Sequence, residues 1–208
     1  MPIICLEGVD GAGKSTLARE IHETWIAKGQ EYTSTLVHTG APERWNKKDM
    51  TLLQWRELCY NRLNAVLKLA EMSIDSQLLV LDRFHYGSYV YGGLYRPEVN
   101  DSSGFGDLGV SGLLALDHRI KYLRGITVVV QPSLDVVIQR STGREDEYLD
   151  TVPGHREKQL ADIYYRYRRL VGMYHDSLPS FHGVGEYTAA ELIEAVYRDP
   201  RDCDGEDR

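Results

Sequence analysis

Apolar and polar positions along this chain fall into blocks whose period switches between that of a strand and that of a helix. Ile3-Ile4-Cys5-Leu6 is a short apolar run that predicts a buried strand. Leu17 to Ile26 then places apolar residues at helical spacing, and Lys28-Gly29 predicts the stop of that helix. Tyr32 to His38 alternates and is rich in Thr and Val, predicting a second strand that Thr39-Gly40-Ala41-Pro42 breaks. Asp49 to Met72 predicts a long amphipathic helix with Asp49 as N-cap. Its expected apolar face is Leu52, Leu53, Leu58, Leu63, Val66, Leu67 and Leu69. Leu78-Leu79-Val80-Leu81, ending at Asp82-Arg83, predicts a central parallel strand buried on both faces.

Residues 95–109 are glycine-rich, acidic and without period, and predict a loop or mobile flap. Val110 to Leu123 predicts a helix, Gly125 to Val130 a strand, and Ser133 to Arg140 a short helix behind Pro132. Ser141 to Gly154 is too polar to bury itself and predicts a lid over 141–154. The helix Arg156 to His175, the strand Ser180 to Val184 and the helix Ala189 to Tyr197 complete the pattern. The charged tail 199–208 is expected to be disordered. Strands alternating with helices predict one α/β domain over 1–198, three layers with a parallel sheet of about five strands and helices on both faces. Ligands are then expected beyond the carboxyl ends of the strands.

The first strand-to-helix junction carries chemistry. Gly8-Val9-Asp10-Gly11-Ala12-Gly13-Lys14-Ser15, followed by Thr16, fits a glycine, four residues, then Gly-Lys-Ser. The backbone N–H groups of such a loop converge on a phosphate at a helix N-terminus. Lys14 would reach the β/γ-phosphates and Ser15 would offer its hydroxyl to Mg²⁺. The bland alternative is a chance glycine-rich turn, but both flanks have the period that the motif requires. A nucleoside triphosphate, ATP, is the expected ligand. Asp82 closes an apolar strand and could hold Mg²⁺ directly or through water. Arg83 beside it could grip a second phosphate by a bidentate contact.

Composition narrows the partners. The 208 residues carry a net charge of −7, which argues against an extended nucleic-acid surface. No stretch approaches the roughly 20 apolar residues of a membrane span. Cys5, Cys59 and Cys203 are too scattered for a disulfide framework or a zinc site, Cys5 and Cys59 reading as core residues. The chain enters a strand at once, with no signal-like segment before it, and a reducing, cytoplasmic compartment is expected. The seven histidines show no metal-ligand spacing. The Tyr164–Arg169 run reads as one buried and one solvated helix face.

These motifs resemble the thymidylate kinase family of P-loop nucleoside monophosphate kinases. The family's Glu-Gly-x-Asp-x-x-Gly-Lys loop is matched by Glu7 to Lys14. Its Leu-Phe-x-x-x-Arg helix segment is loosely matched by Leu58-Cys59-Tyr60-Asn61-Arg62. Its Asp-Arg-Tyr element is matched by Asp82-Arg83-Phe84, followed by Gly87-Ser88 and Tyr91-Gly92. Arg140, Arg144 and Glu145-Asp146-Glu147 resemble its lid. The resemblance implies that Asp10 meets the acceptor's 3′-hydroxyl or a metal-bound water, and that Arg83 holds the acceptor's phosphate. Arg62 would then face the base, and Tyr91 would pack on the deoxyribose. Leu58 stands where the family has a stacking phenylalanine, so Tyr60 or Trp55 would stack instead. Some members carry a P-loop arginine where this chain has Gly11. Members without one draw the cation from the lid, which here points to Arg144 with Arg140 behind it. The implied reaction is transfer of the γ-phosphoryl of ATP, with Mg²⁺, to dTMP or a related pyrimidine deoxynucleotide, one with a modified base included. A homodimer is also implied.

Three other readings stand beside it. A deoxynucleoside kinase is faintly echoed by Pro42-Glu43-Arg44-Trp45 and Glu147-Tyr148-Leu149. Its glutamate base is replaced by Ala41, although Glu43 could substitute. A GTPase is suggested by Asn46-Lys47-Lys48-Asp49 and Asp101-Ser102-Ser103-Gly104, but neither fragment follows an apolar strand. A non-catalytic nucleotide-binding protein would be expected to lose Lys14, Asp82 or the lid arginines, and all are present.

Overall fold

A computed structural model describes residues 1–39, 50–72, 76–96, 106–142 and 155–197. Five strands form one parallel sheet: β1 (Ile3–Glu7), β2 (Thr33–His38), β3 (Gln77–Asp82), β4 (Ile126–Val130) and β5 (Phe181–Gly185), in the order β2-β3-β1-β4-β5. Seven helices connect and cover them: α1 (Lys14–Ile26), α2 (Leu52–Glu71), α3 (His85–Tyr95), α4 (Gly109–Tyr122), α5 (Leu134–Ser141), α6 (His155–Tyr174) and α7 (Ala189–Tyr197). This is the α/β arrangement that the sequence pattern predicts, with β1 central and every residue of β1 and β4 buried. The strand order reverses between β3 and β4 across β1, so the crevice opens at the carboxyl end of β1.

Helix α1 buries Leu17, Ala18, Ile21 and Trp25 along one stripe and packs on α7 and on β2 and β3. The Trp25 indole N–H donates to the Thr33 carbonyl at 2.9 Å, tying the end of α1 to the start of β2. Helices α2, α3, α4 and α6 pack against one another, and α4 lies against β4. No helix among the described residues is long and apolar enough to cross a membrane.

Two expectations need correction. The N-cap of α2 is Thr51, whose hydroxyl accepts from Gln54 N–H in a reciprocal capping box, and Asp49 lies outside the described residues. The buried stripe of α2 is Trp55, Cys59, Leu63, Leu67 and Ala70, a strict three-to-four-residue spacing set by Trp55. Leu53 and Leu58 point outward, 75% and 51% exposed, and Leu69 is also exposed. Of the expected face, Leu63 and Leu67 are buried and Leu52 and Val66 pack partly buried on the core, while Trp55 and Cys59 take the places that counting leucines gave to Leu53, Leu58 and Leu69.

Of residues 95–109, expected as a loop or flap, only the two ends are described. Tyr95 closes α3, and the far end of the segment is anchored. Asp107 is fully buried and accepts from Trp55 Nε1 at 3.1 Å and Arg96 Nε at 2.8 Å. A Cβ on Gly92 would stand 2.6 Å from Asp107 Cγ, so glycine is needed for α3 to accept this neighbour. Residues 40–49, 73–75, 97–105, 143–154 and 198–208 lie outside the described residues, and with them most of the expected lid.

Candidate active site

The loop between β1 and α1 turns sharply because three glycines take positive φ, Gly13 serving as the left-handed N-cap of α1. At Gly11 (φ 83°) a Cβ would stand 2.5 Å from Ser141 Oγ and 2.9 Å from the Val137 carbonyl. Helix α5 therefore occupies the space into which any side chain at position 11 would grow. The same helix carries Arg140, whose Nη1 approaches the Ala12 carbonyl at 3.5 Å. A side chain at position 11 is excluded on steric grounds, and α5 brings Arg140 to the loop instead.

Lys14 is buried, and its ammonium donates to the Val9 carbonyl at 2.8 Å. Burial lowers its pKa to about 8, with Asp82 and Glu7 opposing the shift. Ser15 Oγ donates to Asp82 Oδ2 at 2.6 Å, and His38 Nδ1 lies 3.2 Å from the same oxygen. Asp82 Oδ1 is buried without a hydrogen-bond partner. An orphaned carboxylate oxygen beside a loop hydroxyl is the donor chemistry that a hard, oxygen-preferring divalent cation takes. Ser15 and Asp82 therefore fit Mg²⁺.

Arg83 follows β3 with φ 65°, a left-handed conformation that costs a bulky residue about 1–2 kcal/mol. The chain holds it there on both sides. Its N–H donates to the Leu6 carbonyl at 2.9 Å, and its carbonyl accepts from Thr39 Oγ1 at 2.7 Å. The guanidinium is thereby aimed across the loop, pairing with Asp10 through Nη2 and Oδ1. Tyr91 OH donates to the other Asp10 oxygen at 2.9 Å, and its ring lies 5.1 Å from the Arg83 guanidinium carbon. Asp10, Arg83 and Tyr91 thus form one cluster at the lip of the P-loop.

The loop residues Asp10 to Thr16 line a cavity of about 540 Å³ together with Arg83, Arg140, Val130, Glu186 and Tyr187. Gly8 stands behind the loop, its Cα packed against the Val130 carbonyl. Lys14, Arg83 and Arg140 bring three cations to this cavity, beside the carboxylates of Asp10, Glu20 and Glu186. Leu58, Tyr60 and Arg62 do not line it. Leu58 faces outward and Tyr60 packs partly buried against the core. Arg62 stands near Cys59, whose thiol burial and then Asp107 push up to about 12, with Arg96 and Arg62 opposing. Arg144 is outside the described residues.

Several contributors had no role assigned to them from the sequence. Glu7 is fully buried and accepts from three amides at the start of α3. His85, also fully buried, sets Nε2 3.1 Å from Asp117 Oδ2, an oxygen that also accepts from Tyr86 OH and Ser180 Oγ. Burial pushes the Asp117 carboxyl up, but His85 and Ser180 outweigh it and leave the pKa lowered. Glu186 and Tyr187 reach the cavity from the β5–α7 connection, a loop without a motif.

No protein-family model matches the chain, and no curated protein matches it. Solved structures do. The shikimate kinase of Acinetobacter baumannii, in complex with shikimate, is 17% identical over 100% of this chain and 96% of its own, with a TM-score of 0.48. A deoxyadenosine kinase from M. mycoides is 15% identical over 97% of this chain and 99% of its own, with a TM-score of 0.47. The thymidylate kinase of Candida albicans is 17% identical over 97% of this chain and 92% of its own, with a TM-score of 0.53. At that TM-score the chain shares the α/β P-loop fold of the thymidylate kinase, and its own glycine loop lies at the carboxyl end of the central strand.

Proposed function

We propose that this protein transfers the γ-phosphoryl of ATP to a deoxynucleoside monophosphate, dTMP or a related pyrimidine deoxynucleotide, giving the diphosphate. The observation that carries the reading is the Asp10–Arg83–Tyr91 cluster beside the P-loop. A phosphate acceptor arrives already ionised and needs a cation to hold it next to the donor, whereas a hydroxyl acceptor needs a free base. Arg83 supplies such a cation. Asp10, the carboxylate within the loop, is engaged by Arg83 and Tyr91 and is a poor base in that state.

The donor's phosphates would lie in the cavity over Gly8 to Thr16, with Lys14 on the β/γ oxygens and Arg140 at the edge. Mg²⁺, held by Ser15 and Asp82, supplies charge neutralisation on the transferring phosphoryl group. Arg83 positions the acceptor phosphate, Tyr91 packs on the deoxyribose and Asp10 meets the sugar hydroxyl. Arg144 from the lid would stabilise the charge that develops in transfer. Arg62, with Tyr60 on α2, would face the acceptor base.

A panel assay with ATP, Mg²⁺ and every common nucleoside and nucleoside monophosphate tests this. Diphosphate formation from a pyrimidine deoxynucleotide is expected. Turnover of a nucleoside but of no monophosphate overturns the reading in favour of a deoxynucleoside kinase.

A further inference from the structure

The last residue of β1 is a carboxylate with no access to solvent. Glu7 Oε1 accepts the N–H groups of Phe84 at 3.0 Å and Tyr86 at 2.8 Å. Its Oε2 accepts the Gly87 N–H at 2.9 Å and the Tyr167 hydroxyl at 3.2 Å. Helix α3 has no side-chain cap of its own, since Phe84 stands at its N-cap, and no acidic residue lies in its first turn. Its opening amides would be buried orphans. Glu7 caps them from a different strand, 77 to 80 residues away in sequence.

Glu7 also lies between the two halves of the candidate site. The residue after it, Gly8, opens the P-loop. The residue before Phe84 is Arg83, held at φ 65°. The Leu6 carbonyl takes the N–H of Arg83 and Glu7 takes the N–H of the next residue, so β1 fixes the backbone on both sides of Arg83. Gly87 completes the fit, because a Cβ there would stand 3.2 Å from Glu7 Oε2 and 3.4 Å from Tyr167 OH. A four-donor carboxylate at this joint does more than terminate a helix.

We infer that Glu7 is a positioning residue: it locks the left-handed turn at Arg83 to the start of the P-loop and so sets where the Arg83 guanidinium stands relative to the donor phosphates. This rests on Arg83 holding the acceptor, as proposed above. Glu7 touches no reacting group, and its influence on the acceptor runs through Arg83. On the donor side its charge helps to hold the Lys14 ammonium, a smaller effect that leaves the loop backbone in place.

The test is a double-mutant cycle of Glu7→Gln and Arg83→Ala on the full chain, read with the best acceptor of the panel. The Gln carboxamide keeps the shape but turns one oxygen into a donor facing Gly87 N–H and Tyr167 OH. Glu7→Gln alone is expected to lower kcat/KM for the acceptor by roughly 10–100-fold, the scale of a small misplacement of a catalytic group. The affinity for ADP, measured by calorimetry at pH 7, is expected to fall by much less, through the lost support of the Lys14 ammonium only. In the Arg83→Ala background the Gln substitution is expected to cost almost nothing. Additive losses, or an equal fall in ADP affinity, overturn the inference. If Glu7→Gln does not fold, Tyr167→Phe removes one of the four donors and enters the same cycle with a smaller loss expected and the same two overturning results. A wild type that uses a nucleoside refutes the monophosphate reading but leaves the cycle readable on that acceptor. A wild type that turns over no acceptor overturns both.

Discussion

The Ser15 hydroxyl donates to Asp82 Oδ2 across 2.6 Å, joining residues 67 apart in sequence at the mouth of the P-loop. One belongs to the first turn of α1 and the other to the last residue of β3, so the contact needs both neighbouring strands in register. That register is explicit, with Leu6 opposite Asp82. The second Asp82 oxygen is buried and has no hydrogen-bond partner. A carboxylate left half satisfied at a phosphate site is suited to a cation.

Asp82→Asn is therefore expected to keep the fold and weaken divalent binding. The loss should be at least the roughly 10–100-fold seen when an outer-shell partner of a metal is removed. Mn²⁺ titration followed by water-proton relaxation, with ADP present, measures it directly. Retention of full Mn²⁺ affinity would remove Asp82 from the metal site.

Lys14 gives the site a pH dependence whose sign can be worked out. Burial lowers its pKa to about 8 in the folded protein, below the roughly 10.4 of a free lysine. Between those values the unfolded chain binds more protons, so this group contributes stability that rises with pH through the window from about 8 to about 10.4. Polyphosphate binding runs the other way, because it needs the ammonium. ATP affinity should be level below pH 8 and fall about tenfold per pH unit above it. Lys14→Met should abolish that dependence and raise the melting temperature at pH 7, since the Val9 carbonyl still accepts from Ala12 N–H at 3.2 Å. Calorimetric titrations at pH 7, 8 and 9, with thermal melts at each pH, read both effects.

Tyr91 contributes through two separable contacts, a hydroxyl on Asp10 and a ring beside Arg83. Tyr91→Phe removes the first and keeps the second. It is expected to raise the acceptor KM while preserving the preference for deoxyribose over ribose. Tyr91→Ala removes both and should relax that preference. Equal discrimination in the alanine variant would mean that the sugar is read elsewhere.

The parts of this site that the sequence exposes are those made by near neighbours. Gly8 to Ser15 carries its loop chemistry within eight residues, and Asp82-Arg83 is marked by the apolar run that ends there. What stays hidden is made across the fold. The role of Glu7 depends on Phe84, Tyr86, Gly87 and Tyr167, none of them near it in sequence. Helix α3 escaped notice for the same reason. Its HYGSYVYGGLY sequence holds three glycines and four tyrosines, a poor helix by propensity, and it is capped from β1. The outward turn of Leu58 follows from where Trp55 points, which the leucine spacing does not encode. The meaning of Gly11 is likewise tertiary, because α5 fills the space beside it.

Arg140 and Arg144 should separate in their kinetic effects. Arg140 projects from α5 onto the Ala12 carbonyl within the cavity over the loop, where it would meet the donor in ground and transition states alike. A contact of that kind is uniform binding, and Arg140→Ala should raise the KM for ATP with little change in kcat. Arg144 belongs to the segment read as a lid and would reach the migrating phosphoryl group only as charge develops. Its loss should lower kcat by roughly 10³-fold or more, the lower end of what an arginine at that position supplies in phosphoryl transfer. ATP affinity in Arg144→Ala should be unchanged. Single-turnover kinetics with both variants distinguish the two roles. Should the effects come out exchanged, with kcat falling in Arg140→Ala and not in Arg144→Ala, the transition-state cation is delivered by α5. Gly11, by admitting α5 so close, would then be the residue that makes room for it.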